Sequence, residues 1–241
     1  MQAKYTDEST CQKPTNENAK IWRYMGFAKF VSLLDKKALF FCRSDKLGDP
    51  FEGSTSKANV KLRLETYKPF PEGMTLEHFR RFVIINCWNL SEQDSAPLWK
   101  LYIKEAEGIA VQSTFKRLTQ SFSSSANDYV LISKIKYIDY NTETFPEEWV
   151  TNPFWHKRRN YENEQELRAI IIKLPNAYFP TAPDIFDRGE YIDVNLDMLI
   201  ENVYVSPTAQ EWFRDTVESV MKKQGISKIP IRSDLDDAPV Y

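Results

Sequence analysis

The sequence predicts an α+β fold in one domain, built from short mixed strands and short helices. Apolar runs of four to seven residues, rich in β-branched and aromatic side chains, recur from residue 21 to residue 231. Amphipathic segments of only a few turns separate them, without the regular long crossover helices that a doubly wound parallel sheet needs. The 241 residues, 42% of them hydrophobic and 14% aromatic, suffice for one sizeable core, and nothing forces a second domain. Residues 1–19 are rich in Thr, Asn, Glu, Lys and Gln and are expected to form a flexible tail ahead of the α+β domain at 20–241.

Ile21-Trp22-Arg23-Tyr24-Met25 reads as the first strand, and Phe27, Phe30, Val31 and Leu34 follow at helical spacing. Ala38-Leu39-Phe40-Phe41-Cys42 predicts the next strand. In Gly48-Asp49-Pro50-Phe51-Glu52-Gly53, Asp in the cap position, Pro after it and Glu three residues on predict a helix start. Pro69, Pro71 and Gly73 interrupt the path before a helix at 75–81. Residues 82–88 predict a buried strand, 91–96 a polar loop, and 97–105 a helix carrying Trp99 and Tyr102 one turn apart.

Gly108-Ile109-Ala110-Val111 predicts a strand leading through Ser113 and Thr114 into a helix at 115–122, and 123–127 a flexible connection. Residues 130–140 alternate well enough for one long strand, with Leu131, Ser133, Ile135 and Tyr137 facing the core. His156-Lys157-Arg158-Arg159 reads as a solvated turn or a phosphate anchor. Residues 175–189 look irregular, 191–194 and 203–205 are short strands, Ser206-Pro207 opens a helix to Lys223 stopped at Gly225, and 228–231 is the last strand.

Charge and cysteine content narrow the function. A formal net charge of -2 with both signs interspersed gives no basis for bulk DNA binding or for docking on an anionic membrane. Cys11, Cys42 and Cys87 are far apart and odd in number, which fits a reducing, cytoplasmic compartment rather than a disulfide framework. With only His78 and His156 as imidazoles, no zinc spacing exists, although carboxylates alone could hold a metal. No apolar stretch approaches the roughly 20 residues a membrane helix needs.

The most informative segment is Tyr161-Glu162-Asn163-Glu164-Gln165-Glu166-Leu167-Arg168, which runs into Ala169-Ile170-Ile171-Ile172. As a strand it puts Glu164, Glu166 and Arg168 on one face, a carboxylate pair beside a cation. As a helix it puts Tyr161, Glu164 and Arg168 together, with an ordinary i,i+4 ion pair. The isoleucines and the early Lys173-Leu174-Pro175 stop favour the strand.

Taken in order, Trp22-Arg23-Tyr24, Asp49-Pro50-Phe51-Glu52-Gly53, Cys87, Leu98-Trp99-x-x-Tyr102, Gly108-Ile109-Ala110-Val111 and Tyr161-x-x-Glu164-x-Glu166-x-Arg168 resemble the bacterial domain-of-unknown-function family 2971, over roughly residues 21–232. Gly48 stands where that family usually has Asn. A more distant resemblance is to ADP-ribosyltransferases of the Arg/Ser/Glu type, through Arg23, Ser113-Thr114 and Glu164-Gln165-Glu166 in chain order, with Phe115 in place of the third hydroxyl.

That second resemblance implies an NAD-dependent enzyme modifying a protein or nucleic acid. Arg23 would hold the dinucleotide phosphates, with Tyr24, Ser113, Thr114, Tyr161 and Arg168 around the cofactor site. Glu166 would be catalytic, stabilising a cationic sugar, and Glu164 would face the acceptor. A guanidinium forks onto phosphate oxygens, and a cationic sugar carbon needs a fixed carboxylate beside it.

Plainer readings stand beside these. Arg23 can be a solvated edge residue, Ser113 a helix cap, Asp49 with Glu52 a capping box, Glu164, Glu166 and Arg168 a structural salt-bridge network, and Trp99 and Tyr102 core. Two other functions compete: a non-catalytic module binding a protein or single-stranded nucleic acid, and a carboxylate-metal hydrolase using Asp49, Glu52, Glu164 and Glu166.

Overall fold

The computed structural model describes residues 3–5, 11–66, 75–103, 107–123, 128–174, 187–235, 237 and 239. The strands are β1 (Ala3–Tyr5), β2 (Lys20–Gly26), β3 (Ala38–Arg43), β4 (Val83–Leu90), β5 (Gly108–Thr114), β6 (Asp128–Lys134), β7 (Lys136–Ile138), β8 (His156–Arg158), β9 (Glu166–Ile172), β10 (Gly189–Asp193), β11 (Asn202–Val205) and β12 (Ile231–Arg232). The α-helices are α1 (Phe27–Lys36), α2 (Lys57–Thr66), α3 (Leu76–Phe79), α4 (Ala96–Tyr102), α5 (Phe115–Ser121), α6 (Leu196–Leu199) and α7 (Glu211–Lys223). Helices and strands mix in a single α+β domain, as the short alternating runs predict.

Among the described residues one mixed sheet runs β1-β6-β9-β4-β2-β5-β11-β12, with β3 joined to β4 and β10 to β3. At its centre β4 is antiparallel to β9 along its length, from Val83 opposite Ile172 to Asn89 opposite Glu166. The other edge of β4 is shared. Its far end meets β2 at Leu90 and Asn89, opposite Ile21 and Trp22, while its near end meets β3 at Ile85 and Ile84, opposite Cys42 and Arg43.

The sheet therefore forks along Asn86-Cys87-Trp88. Side chains replace the missing ladder bonds there: Asn86 Nδ2 donates to the Phe40 carbonyl at 2.9 Å, and Arg23 Nη1 to the Cys87 carbonyl at 2.8 Å. Buried backbone groups need such partners, so the fork fixes both side chains.

Both faces of the sheet are covered. On one, Ile21, Ile84, Val111, Ile132, Ala169 and Ile171 pack with Phe30 of α1, Leu118 of α5 and Val217 of α7. On the other, Val83, Ile85, Leu131 and Ile170 pack with Phe79, Phe154 and Trp155, and further along α4 lays Leu98 and Trp99 on Trp22, Tyr24 and Ala110. Two-sided burial explains why β9 reads as a nearly continuous apolar run.

Several local expectations are corrected. The long strand expected at 130–140 divides after Lys134: the Ile135 N–H donates to the Glu166 carbonyl, and β7 pairs in parallel with β8 outside the main sheet. Val130 and Ile132 are as buried as Leu131 and Ile135, so both faces are covered along 130–133, and Lys136 beyond them is exposed. The helix start expected at Asp49 is a turn, in which Asp49 Oδ1 accepts from the Phe51 N–H at 3.0 Å, and the helix waits until Lys57. Gly53 has φ +66°, and a Cβ there would lie 2.4 Å from the Phe154 ring, so only glycine closes this turn.

Half of the basic run is not solvated: His156 and Lys157 are buried in β8, Arg158 is half-buried, and Arg159 is exposed. Thr114 rather than Ser113 caps α5, α7 begins at Glu211, and the last strand holds only Ile231 and Arg232.

Within the segment read as a tail, β1 pairs in parallel with β6, and Gln12 donates its N–H to Ser133 Oγ while accepting from the Lys134 N–H. Pro69, Pro71, Gly73, residues 104–105 and 124–127, and most of 175–189 lie outside the described residues.

Candidate functional site

β9 begins at Glu166, whereas Glu164 closes a preceding 3-10 turn (Arg159–Glu164), and the two are joined by Gln165 in the left-handed region at φ 40°. Alternation along β9 sends Leu167, Ala169 and Ile171 to one core and Glu166, Arg168 and Ile170 to the other face. The charged residues occupy the end of that face, where the Asp49–Gly53 turn brings in Glu52 and β8 brings in Lys157.

Arg168 is wholly buried and uses all five of its N–H donors. Nε and Nη2 fork onto Glu166 at 2.7 and 3.0 Å, Nη1 and Nη2 fork onto Glu52 at 2.7 and 3.0 Å, and Nη1 also donates to the Phe154 carbonyl at 3.0 Å. Lys157 Nζ lies 2.6 Å from Glu164, 3.3 Å from Glu166 and 3.5 Å from Glu52, and 4.7 Å from the centre of the Tyr161 ring. Three carboxylates thus share two cations. Asp49 is separately balanced by Arg158 at 2.7 Å, whose guanidinium stacks on Phe51.

These contacts set the acidities. Burial pushes the Glu166 carboxyl up, but the charges of Arg168 and Lys157 outweigh it and hold the group down at about 2. Burial also pushes the Glu164 carboxyl up, and Lys157 offsets this only in part, so its pKa stays above the ordinary carboxylate value. Burial would lower Lys157 and Arg168, yet Glu166 and Glu52 hold both above their usual values. The Cys87 thiol beside Glu166 is pushed well up by burial.

A cavity of about 950 Å³ opens in the fork of the sheet, lined by this cluster together with Arg23, Tyr24, Trp88 and Tyr102. Arg23 differs from Lys157 and Arg168. It donates to a backbone carbonyl, that of Cys87, it has no carboxylate within ion-pair distance among the described residues, and burial lowers its pKa.

Of the residues singled out from sequence, Arg23, Tyr24, Tyr161, Glu164, Glu166 and Arg168 all line this one cavity. Tyr24 is anchored by its hydroxyl accepting from the Ser95 N–H at 2.7 Å and by edge packing on Trp99; Tyr161 lies under Lys157 and Arg158. Ser113 and Thr114 lie elsewhere. Ser113 Oγ donates to the Leu199 carbonyl, and Thr114 Oγ1 accepts from the Arg117 N–H at 3.1 Å. Sequence reasoning missed Lys157, filed in a solvated run, and took Glu52 for a cap. The only local signal was Phe154-Trp155 just before Lys157, which marks a segment entering the core.

The carboxylates proposed for a metal, Asp49, Glu52, Glu164 and Glu166, each face an arginine or lysine, and among the described residues no group of three His, Cys, Asp or Glu is arranged to hold an ion. No described helix is long and apolar enough to cross a membrane.

No protein-family model matches the chain, and no curated protein matches it. Among solved structures, the chain is similar to DarT of Thermus sp. 2.9, determined in complex with ADP-ribosylated ssDNA. The two are 10% identical with a TM-score of 0.41, over 98% of this chain and 99% of that one.

Proposed function

We propose that the chain is an ADP-ribosyltransferase-like enzyme that consumes NAD and transfers ADP-ribose to a macromolecular acceptor, a protein or a nucleic acid. The observation that carries this reading is that one cavity holds both a cation without a carboxylate partner, Arg23, and a carboxylate cluster with one surplus negative charge, Glu52, Glu164 and Glu166.

The reaction needs both. The diphosphate of the dinucleotide is anionic and suits a preorganised guanidinium, which Arg23 offers from a site where the Cys87 carbonyl already fixes its direction. The sugar carbon becomes positive as nicotinamide departs, and fixed carboxylates in a partly dehydrated cleft stabilise that charge without reorganising. Tyr24, Tyr102 and Tyr161 offer ring faces and edges for the bases. About 950 Å³ is at the upper end of ordinary ligand pockets, enough for a dinucleotide. In this reading Ser113 and Thr114 support the fold and make no contact with the ligand.

Calorimetric titration with NAD and with ADP-ribose tests the reading. The wild type should bind both, and Arg23→Met should bind them about ten- to a hundredfold more weakly, the loss of a charge-assisted contact, with a small fall in melting temperature because the Cys87 carbonyl loses its donor. A wild type that binds neither ligand, or a variant that binds as well as wild type, refutes it.

A further inference from the structure

We infer that Glu164, and not Glu166, is the carboxylate that faces the reacting sugar carbon, and that Glu166 and Lys157 are positioning residues; the inference rests on the transferase reading above. Glu166 has no free capacity. Both its oxygens accept from Arg168, one of them also from Lys157, and its side chain is 4% exposed. Glu164 is 17% exposed, and its one side-chain bond is from Lys157 to Oε2 at 2.6 Å. Its Oε1 accepts from no protein donor among the described residues.

The charge count agrees. Glu52, Glu164 and Glu166 share Arg168 and Lys157, which leaves one surplus negative charge, and Glu164 is the carboxylate that Arg168 does not reach and that Lys157 alone compensates. A half-buried charge of this kind gains most from a positive centre arriving in the cavity. Its backbone is held in place, since Asn89 Nδ2 donates to the Glu164 carbonyl at 2.8 Å, while the side chain is steered by Lys157 alone.

The transfer step balances on this assignment. The C1′–N bond of NAD breaks and its electron pair leaves on nicotinamide, which becomes neutral. The nucleophilic nitrogen or oxygen of the acceptor gives a lone pair to C1′, and its proton passes to the Glu164 carboxylate, which returns it to solvent.

Lys157 keeps Glu164 ionised. The groups that face Glu164 are Lys157 of β8, Glu166 of β9, Glu52 of the turn, Tyr102 of α4 and Tyr137 of β7, with Tyr161 on its own segment. Lys157 is the only cation among them, so its removal raises the Glu164 pKa further and moves the acid limb of the rate profile to higher pH.

Four variants test this: Glu164→Gln, Glu166→Gln, Lys157→Met and Lys157→Arg, each followed by NAD titration, thermal melting and NAD consumption against pH. Glu164→Gln should keep NAD affinity and melting temperature and lose about a hundredfold or more in turnover, the usual cost of deleting a transition-state electrostatic contact. Glu166→Gln should melt earlier, and the turnover of its folded fraction should fall less than that of Glu164→Gln. Lys157→Met should move the acid limb up by about one pH unit, and Lys157→Arg should restore it. If Glu164→Gln turns over normally, or Lys157→Met leaves the acid limb in place, the assignment is wrong even where NAD binds. Absence of NAD binding by the wild type removes the underlying reading and the assignment together. Should Glu166→Gln not fold, the Glu164 and Lys157 variants still decide.

Discussion

Replacing Arg168 by methionine keeps most of the side-chain volume and removes the charge that joins Glu52 to Glu166. In the wild type this guanidinium makes four bonds to Glu52 and Glu166 and one to the Phe154 carbonyl, all buried. In Arg168→Met, Lys157 alone faces three carboxylates. Breaking a buried ion pair by deleting one partner costs about 3–5 kcal/mol, because the other charge is left uncompensated. For a domain of this size about 4 kcal/mol corresponds to a fall of roughly 8–16 °C in melting temperature.

The pH dependence gives a sharper check. Glu166 is held at about 2 in the folded protein against an unperturbed 4.5, so its contribution is present above pH 4.5 and is lost as pH falls towards 2. That shift amounts to about 3 kcal/mol. In Arg168→Met only Lys157 is left to oppose burial, so the depression shrinks, and the gap between wild type and variant should be widest at neutral pH and should narrow on acidification. Urea unfolding at pH 7, 5 and 3 reads both quantities. A loss below about 1 kcal/mol, or a gap as wide at pH 3 as at pH 7, would show that the cluster does not hold these three charges together.

Two further outcomes follow from the packing. Gly53→Ala puts a Cβ against the Phe154 ring at a left-handed φ, and should destabilise by about 2 kcal/mol or more, seen as an earlier melt and weaker NAD binding because the turn carries Glu52. Ser113→Ala leaves the buried Leu199 carbonyl without its donor and should cost about 1–2 kcal/mol in urea unfolding with NAD affinity unchanged; a large affinity loss would place Ser113 at the ligand after all.

The sequence by itself determined the strands and one face of the site. Apolar runs at 21–25, 82–88 and 169–172 had no alternative but burial, and the strand reading of the last of them, which stood beside a helical one, sets Glu166 and Arg168 side by side by its two-residue period. Register with distant strands was not legible. Residues 130–140 alternate smoothly, yet they break at Ile135 because its N–H is taken by Glu166, 31 positions on, which no local pattern encodes. Whether Glu164 joined the strand was likewise decided by the 3-10 turn and the left-handed Gln165.

Tertiary structure alone decided which charges meet. Glu52 lies 116 positions before Arg168 and reads locally as a helix cap, and Lys157 sits in a run that looks solvated; both are drawn in because two buried charges on β9 require partners. The fork in the sheet is also a tertiary event. It exists because β2 and β3 share one edge of β4, and it turns Arg23, a residue that on an edge strand would be a solvated cation, into the one described cation at the cavity that faces a carbonyl instead of a carboxylate. Local sequence fixes which side of a strand a group points to, whereas its electrostatic surroundings come from elements brought in from far along the chain.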